Sequence, residues 1–174
     1  MFFLGNFFTH LPFFFTFNAG DRSEQFVSMG IRLGLSATLC MIVFMGGRVI
    51  PFFTESNRSP NQPKSSPWIE SLSPWSMWIF SASYVFFPES WAHFGASLFA
   101  ALTQGRRLIG WQVRRTWRAP LIWVLHLAYF WLVLGMIFSA ASVFMKVPSR
   151  PFIHSFTLGL ISTLLLGMMT RVSL

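Results

Sequence analysis

Four histidines, His10, His93, His126 and His154, are the residues of this chain best suited to chemistry. A neutral imidazole offers a nitrogen lone pair to iron, copper or zinc. On a lipid-facing wall its nitrogens would go unsatisfied, so each ring is expected to turn inward. His126 and Tyr129 stand three apart, on one face of a helix, where the phenol can orient the imidazole or bond a group held beside it. His154 follows Pro151 in what reads as a first helical turn. There the exposed N–H groups and the helix dipole disfavour a protonated ring, which suits a metal ligand. Glu89 and His93 are four apart and able to pair. Arg171, at the end of the last apolar stretch, and Arg48, at the end of an earlier one, can hold an anionic group or a neighbouring helix end. Each residue also has a plainer reading as an interhelical hydrogen bond, a capped interfacial histidine or a snorkelling arginine.

Other chemistries find little support. Met168 and Met169 are soft copper ligands by type, but with nine methionines in an apolar chain they read as packing. The single cysteine, Cys40, excludes an internal disulfide and a thiolate cluster. There is no CxxCH haem-attachment motif, Walker loop, HExxH or nucleophile elbow.

The elements that must carry these residues are apolar. Ala119 to Met145 holds 27 residues without a charge. As a helix it would be about 40 Å long, more than the roughly 30 Å of bilayer hydrocarbon. Arg106, Arg107, Arg114, Arg115 and Arg118 precede it and mark a cytoplasmic end through the positive-inside bias. Hydrophobic residues make up 53% of the chain and charged ones 10%, with 22 Phe, 8 Trp and a mean hydropathy of +0.55. Soluble domains carry roughly 25% charged residues. The net charge of +8 is spread between apolar blocks, so anionic lipid headgroups, and not nucleic acid, are the expected counter-charge.

Six apolar segments follow in order: Met1 to Phe17, Ser28 to Gly47, Trp68 to Phe87, Trp91 to Leu102, Ala119 to Met145, and a last one from Pro151. Loops are expected near 18–27, 48–67, 106–118 and 146–150, the first holding Asp21, Arg22 and Glu24. Gly46-Gly47-Arg48 and Pro51 should stop the second segment. Trp68, Trp75 and Trp78 suit an interfacial belt. Whether Trp68 to Gly105 crosses once or twice is arbitrated by charge. With two crossings, nine of the 13 basic residues fall on one side, as the positive-inside bias favours. Small residues recur every fourth position at Gly30, Gly34 and Thr38, and again at Ser155, Gly159, Thr163 and Gly167, spacings that let helices approach closely. The amino-terminal segment lacks the basic region and cleavage site of a signal peptide and reads as all or part of a span. The final "MMTRVSL" reads as the last turn of a helix, which suggests a piece of a larger membrane protein.

Three stretches carry a family resemblance: "GGRVIPFFT" (Gly46 to Thr54), "PLIWVLHLAYFWLVLG" (Pro120 to Gly135) and "HSFTLGLISTLLLGMMTRVSL" (His154 to Leu174), with weaker support from "GNFFTHL". They resemble the NnrS proteins, bacterial inner-membrane haem-copper proteins associated with nitric oxide response and denitrification. The resemblance implies an all-α, multi-pass transmembrane bundle in the bacterial inner membrane, with haem and copper as cofactors. Residues 1–174 then form part of an NnrS-like domain and resemble the latter half of longer relatives. Those relatives continue after "TRVSL" with a Gly-His pair, so missing transmembrane helices or another subunit are expected partners beside the lipid bilayer. By this resemblance His126 or His154 ligates haem iron or copper, with His93 and His10 as further metal candidates. Tyr129 orients the ligand, Arg171 balances anionic cofactor charge, and nitric oxide or a metal-nitrosyl species is the molecule handled. The alternative is a non-catalytic structural part of a transporter or larger membrane assembly.

Overall fold

The computed structural model describes residues 20–55, 67–111, 120–145 and 150–173. The first apolar segment, with His10, lies outside the described residues. The helices are α1 (Gly20–Glu55), α2 (Pro67–Phe86), α3 (Trp91–Gly110), α4 (Pro120–Met145), α5 (Arg150–His154) and α6 (Ser162–Ser173), with a π-helical segment (Ser155–Ile161) between the last two. The chain is an all-α bundle, and α5, the π segment and α6 form one continuous rod.

Residue pairing gives the topology. Glu70 meets Arg107, Ser73 meets Gln104 and Ser83 meets His93, so α2 and α3 run antiparallel. His93 with Ser139, and Gln104 with Tyr129, set α4 antiparallel to α3. Gly159 against Trp131 and Gly167 against Val124 do the same for the last rod and α4. On the other side α1 packs on α2, where Cys40 Sγ lies 3.2 Å from Ser81 Oγ, and touches α4 where Gly46 meets Tyr129. Leu39, Val43, Phe80, Leu132, Met136, Phe156 and Leu160 fill the core between them.

The outer surface is apolar. Phe44, Phe52, Trp75, Ile79, Leu102, Leu158 and Leu166 are all exposed, an arrangement water would penalise and lipid does not. Three segments, Phe26–Phe52, Ile122–Met145 and Pro151–Thr170, are long and apolar enough to cross a membrane. Helices α2 and α3 have 20 residues each, about 30 Å at 1.5 Å per residue, enough for one crossing apiece. Each buries a polar stripe: Ser73, Ser76 and Ser81 on α2, and His93, Ser97, Thr103, Gln104 and Arg107 on α3. The residues 87–90 between them make a tight turn in which Ser90 caps α3, its hydroxyl accepting from the His93 N–H at 3.3 Å.

Several local expectations are revised. Helix α1 already begins at Gly20, so Asp21, Arg22 and Glu24 lie in its opening turns. It also continues through Gly46, Gly47 and Pro51 to Glu55. Proline removes one backbone donor inside a helix, and here packing of α1 on the bundle outweighs that loss. Trp75 and Trp78 lie near the middle of α2, about 12 to 17 Å from its start, and only Trp68 stands at an end where a belt would form. Of the two small-residue rows, the later one makes the close approach. A Cβ at Gly159 would overlap the Trp131 ring, whereas one at Gly34 would meet nothing within 4 Å.

Hydroxyl-to-backbone bonds accompany the π segment. Ser155 and Thr157 hydroxyls donate to the Pro151 and Ile153 carbonyls, both at 2.9 Å, and the Ser162 hydroxyl donates to Thr157 O five residues back. Hydroxyls that share backbone carbonyls loosen the ordinary four-residue ladder. The wider turn seats Phe156 against Gly135, where a Cβ would overlap its ring.

Helix α4 has 26 residues and separates its two flanking segments by about 39 Å. Epitope tags inserted after Arg114 and after Ser149 should therefore report opposite sides of the membrane. Detection of both from one side would overturn the topology.

Candidate functional site

The polar interior is a product of helix periodicity. On α3 the buried positions His93, Ser97, Gln104 and Arg107 recur with the spacing of one helical face. On α2 the facing stripe carries Ser73 and Ser76, with Glu70 at its end. Antiparallel packing brings the stripes together, and α4 closes over them with Tyr129.

Arg107 is the centre of the larger cluster. Its side chain is 6% exposed, and its Nε and Nη2 both donate to Glu70 Oε2. Its Nη1 donates to Ser73 Oγ at 2.7 Å, to the Val43 carbonyl at 3.2 Å and to the Tyr129 hydroxyl at 3.3 Å. The Tyr129 O–H donates in turn to Gln104 Oε1, which also accepts from Ser73 Oγ. Gln104 Nε2 donates to the Ser73 carbonyl at 3.1 Å and to Ser76 Oγ at 3.2 Å. The guanidinium fills the space beside α1 at Gly47, where a Cβ would overlap it. Sequence reasoning placed Arg107 among the loop arginines; it is instead a buried, paired residue of α3. Without a partner in view, an arginine next to Arg106 looks like any other cytoplasmic charge. Glu70, Ser73, Gln104 and Gly47 were not singled out as site residues, and the only available signal was a polar stripe at helical spacing.

His93 forms a second cluster nearer the opposite end of the bundle. Its Nδ1 is 3.0 Å from Ser83 Oγ, and its Nε2 is 2.9 Å from Ser139 Oγ and 3.4 Å from Ser97 Oγ. The Ser83 hydroxyl donates to the Phe80 carbonyl, so it accepts from His93 Nδ1–H, and the Ser139 hydroxyl donates to Nε2. Both ring nitrogens are thereby occupied. The pairing with Glu89 is not made: Glu89 lies exposed in the turn before α3.

His126 differs. Its Nδ1 is 2.9 Å from the Ile122 carbonyl and must carry the proton that bonds it. The Nε2 lone pair is then free. That atom is buried and has no hydrogen-bond partner among the described residues. Trp111 packs against the ring with centroids 6.3 Å apart, and the Trp111 backbone is the other polar group near it. Tyr129 touches the same indole at 4.8 Å, so the shared face expected for His126 and Tyr129 is real and Trp111 fills it.

The three described histidines do not converge. Ser139, the partner of His93, is 13 residues along α4 from His126, about 20 Å. His154 is exposed on the outer side of the last rod. Arg171 belongs to α6, its side chain is outside the described set, and His10 is outside it altogether. No group of three or more His, Cys, Asp or Glu suited to a metal ion occurs among the described residues.

The cluster around Arg107 makes a stability prediction. Gly47→Ala should push the guanidinium off its partners and cost about 1–3 kcal/mol. Glu70→Leu, which strands the charge, should cost about 3–5 kcal/mol, and Glu70→Leu with Arg107→Leu should cost less than Glu70→Leu alone. Unfolding of the detergent-solubilised protein measures all three. Wild-type stability in Gly47→Ala would contradict the packing described.

Comparison with curated proteins and with solved structures finds no match. The family model described as NnrS protein matches residues 1–174, with the apolar helices and inward polar stripes described above, and the chain belongs to the NnrS family.

Proposed function

We propose that this protein is a membrane metalloprotein of the bacterial inner membrane, acting in nitric oxide response or protection from nitrosative stress, and that His126 holds haem. Family membership supports the reading, and one observation carries the site: the buried Nε2 of His126, unpartnered and backed by the Nδ1–H bond to the Ile122 carbonyl. A metal-ligating histidine characteristically donates its other ring N–H in this way, which fixes its tautomer and raises its basicity.

The donor set favours haem over copper at this position. Porphyrin brings most of the iron's ligands and would ask the protein for as little as one donor, whereas copper would have to be gathered by several side chains. His126 alone meets the first need. His154 and His10 remain the copper candidates, completed by further helices or another subunit. When bound, haem iron supplies a centre that binds nitric oxide. The protein's part is to fix the imidazole through Ile122 and to keep water out with apolar helices. Arg171 is the candidate to balance anionic cofactor charge from the end of the last rod. Nitric oxide is small and uncharged, so it can reach such a site through lipid.

A second reading, a non-catalytic structural part of a transporter or larger assembly, is favoured by His93, whose ring is fully engaged by serines. Metal content and the Soret absorbance of the detergent-purified chain discriminate between the two. The expected result is a Soret band that His126→Ala abolishes and His154→Ala preserves. Absence of both haem and copper from the wild-type chain would reject the cofactor role and leave the structural reading.

A further inference from the structure

Trp111 stands at the end of α3 and links the ion pair to His126. Its indole N–H donates to Glu70 Oε1 at 3.2 Å, and the Arg107 guanidinium lies 5.2 Å from its ring centre. The ring packs steeply against Tyr129 and His126, at 63° and 81° between planes, and the residue is 4% exposed. Glu70 divides its carboxylate: Oε2 serves Arg107 and Oε1 serves Trp111. One acidic side chain thus neutralises the buried charge and tethers the aromatic wall of the histidine.

We propose that Trp111 is a positioning residue that closes off His126 Nε2, with its hydrogen bond to Glu70 as the latch. A small molecule reaches that nitrogen when the indole leaves Glu70. The purpose of such a latch rests on the reading of His126 as the haem-bearing imidazole; the closure itself is a property of the chain without any bound group.

Diethyl pyrocarbonate, which acylates unprotonated imidazole nitrogen, reads the closure directly. The full chain in detergent, free of cofactor, is treated and its histidines are quantified separately by mass spectrometry. His154, exposed, sets the reference rate, and His93, hydrogen-bonded at both nitrogens, reports any general loosening of the bundle. Trp111→Phe keeps an aromatic ring and removes the indole N–H. Glu70→Gln leaves a single acceptor oxygen; when that oxygen stays with Arg107, the amide N–H groups face the indole N–H, donor against donor.

Each variant should raise His126 labelling about ten- to a hundredfold, the effect of losing one hydrogen bond to a charged group, with His93 and His154 unchanged. The double variant should label no faster than the faster single one. If Glu70→Gln does not fold, Trp111→Phe alone carries the test. Unchanged His126 labelling in Trp111→Phe, or a rise shared by His93, overturns the latch. The two proposals fail separately: a chain without haem that shows this labelling pattern loses the cofactor role and keeps the latch. A haem-loaded wild type whose cofactor-free variants label alike loses only the latch.

Discussion

A single buried guanidinium sets the geometry of this bundle. A charge among apolar helices is stable only when its donors are met, and Arg107 finds acceptors on three other helices: Val43 on α1, Glu70 and Ser73 on α2, and Tyr129 on α4. Four helices therefore have one permitted rotation about their axes near this point. Apolar packing alone tolerates sliding, because one leucine surface resembles another; a guanidinium with directional partners does not. The requirement extends to a residue that makes no bond, since α1 can approach only where Gly47 leaves room.

The remaining interior polarity divides into groups that are finished and two that are not, the Ser36 hydroxyl on α1 and His126 Nε2. Gln104 has its partners, and His93 sits between serines from α2, α3 and α4. Such satisfied networks rigidify a core and hold its helices in register. His126 lies on the same helix as Tyr129, touches the same indole, and yet keeps a lone pair without an occupant among the described residues. In apolar surroundings an uncompensated acceptor costs free energy, so His126 contributes less to holding the helices together than the fully bonded His93 does.

What the sequence disclosed followed from period and run length. Uncharged stretches mark the helices, Pro88-Glu89-Ser90 separates α2 from α3, and the row from Ser155 to Gly167 announces the contact with α4. Contacts between distant residues were hidden. Glu70 and Arg107 are 37 positions apart, and nothing local distinguishes that arginine from its neighbour Arg106, which is exposed. Gly46-Gly47 and Pro51 look like a helix stop because propensity counts local cost only; the gain from packing α1 on its neighbours enters at the tertiary level. His126 and Tyr129 were identifiable as face-sharing residues. The tryptophan that joins them comes from another helix and carried no mark.

The widened turn between His154 and Ser162 also governs what lies beyond it. A π turn is equivalent to one residue inserted into an otherwise regular α-helix, and each residue advances the helical wheel by about 100°. The face that α6 offers to α4 is therefore out of phase with one extrapolated from Pro151. Gly167, beyond that turn, packs against Val124 in the reset phase. A one-residue deletion within that turn would regularise the hydrogen bonds and, by the same act, turn the terminal helix so that Gly167 no longer faced its neighbour.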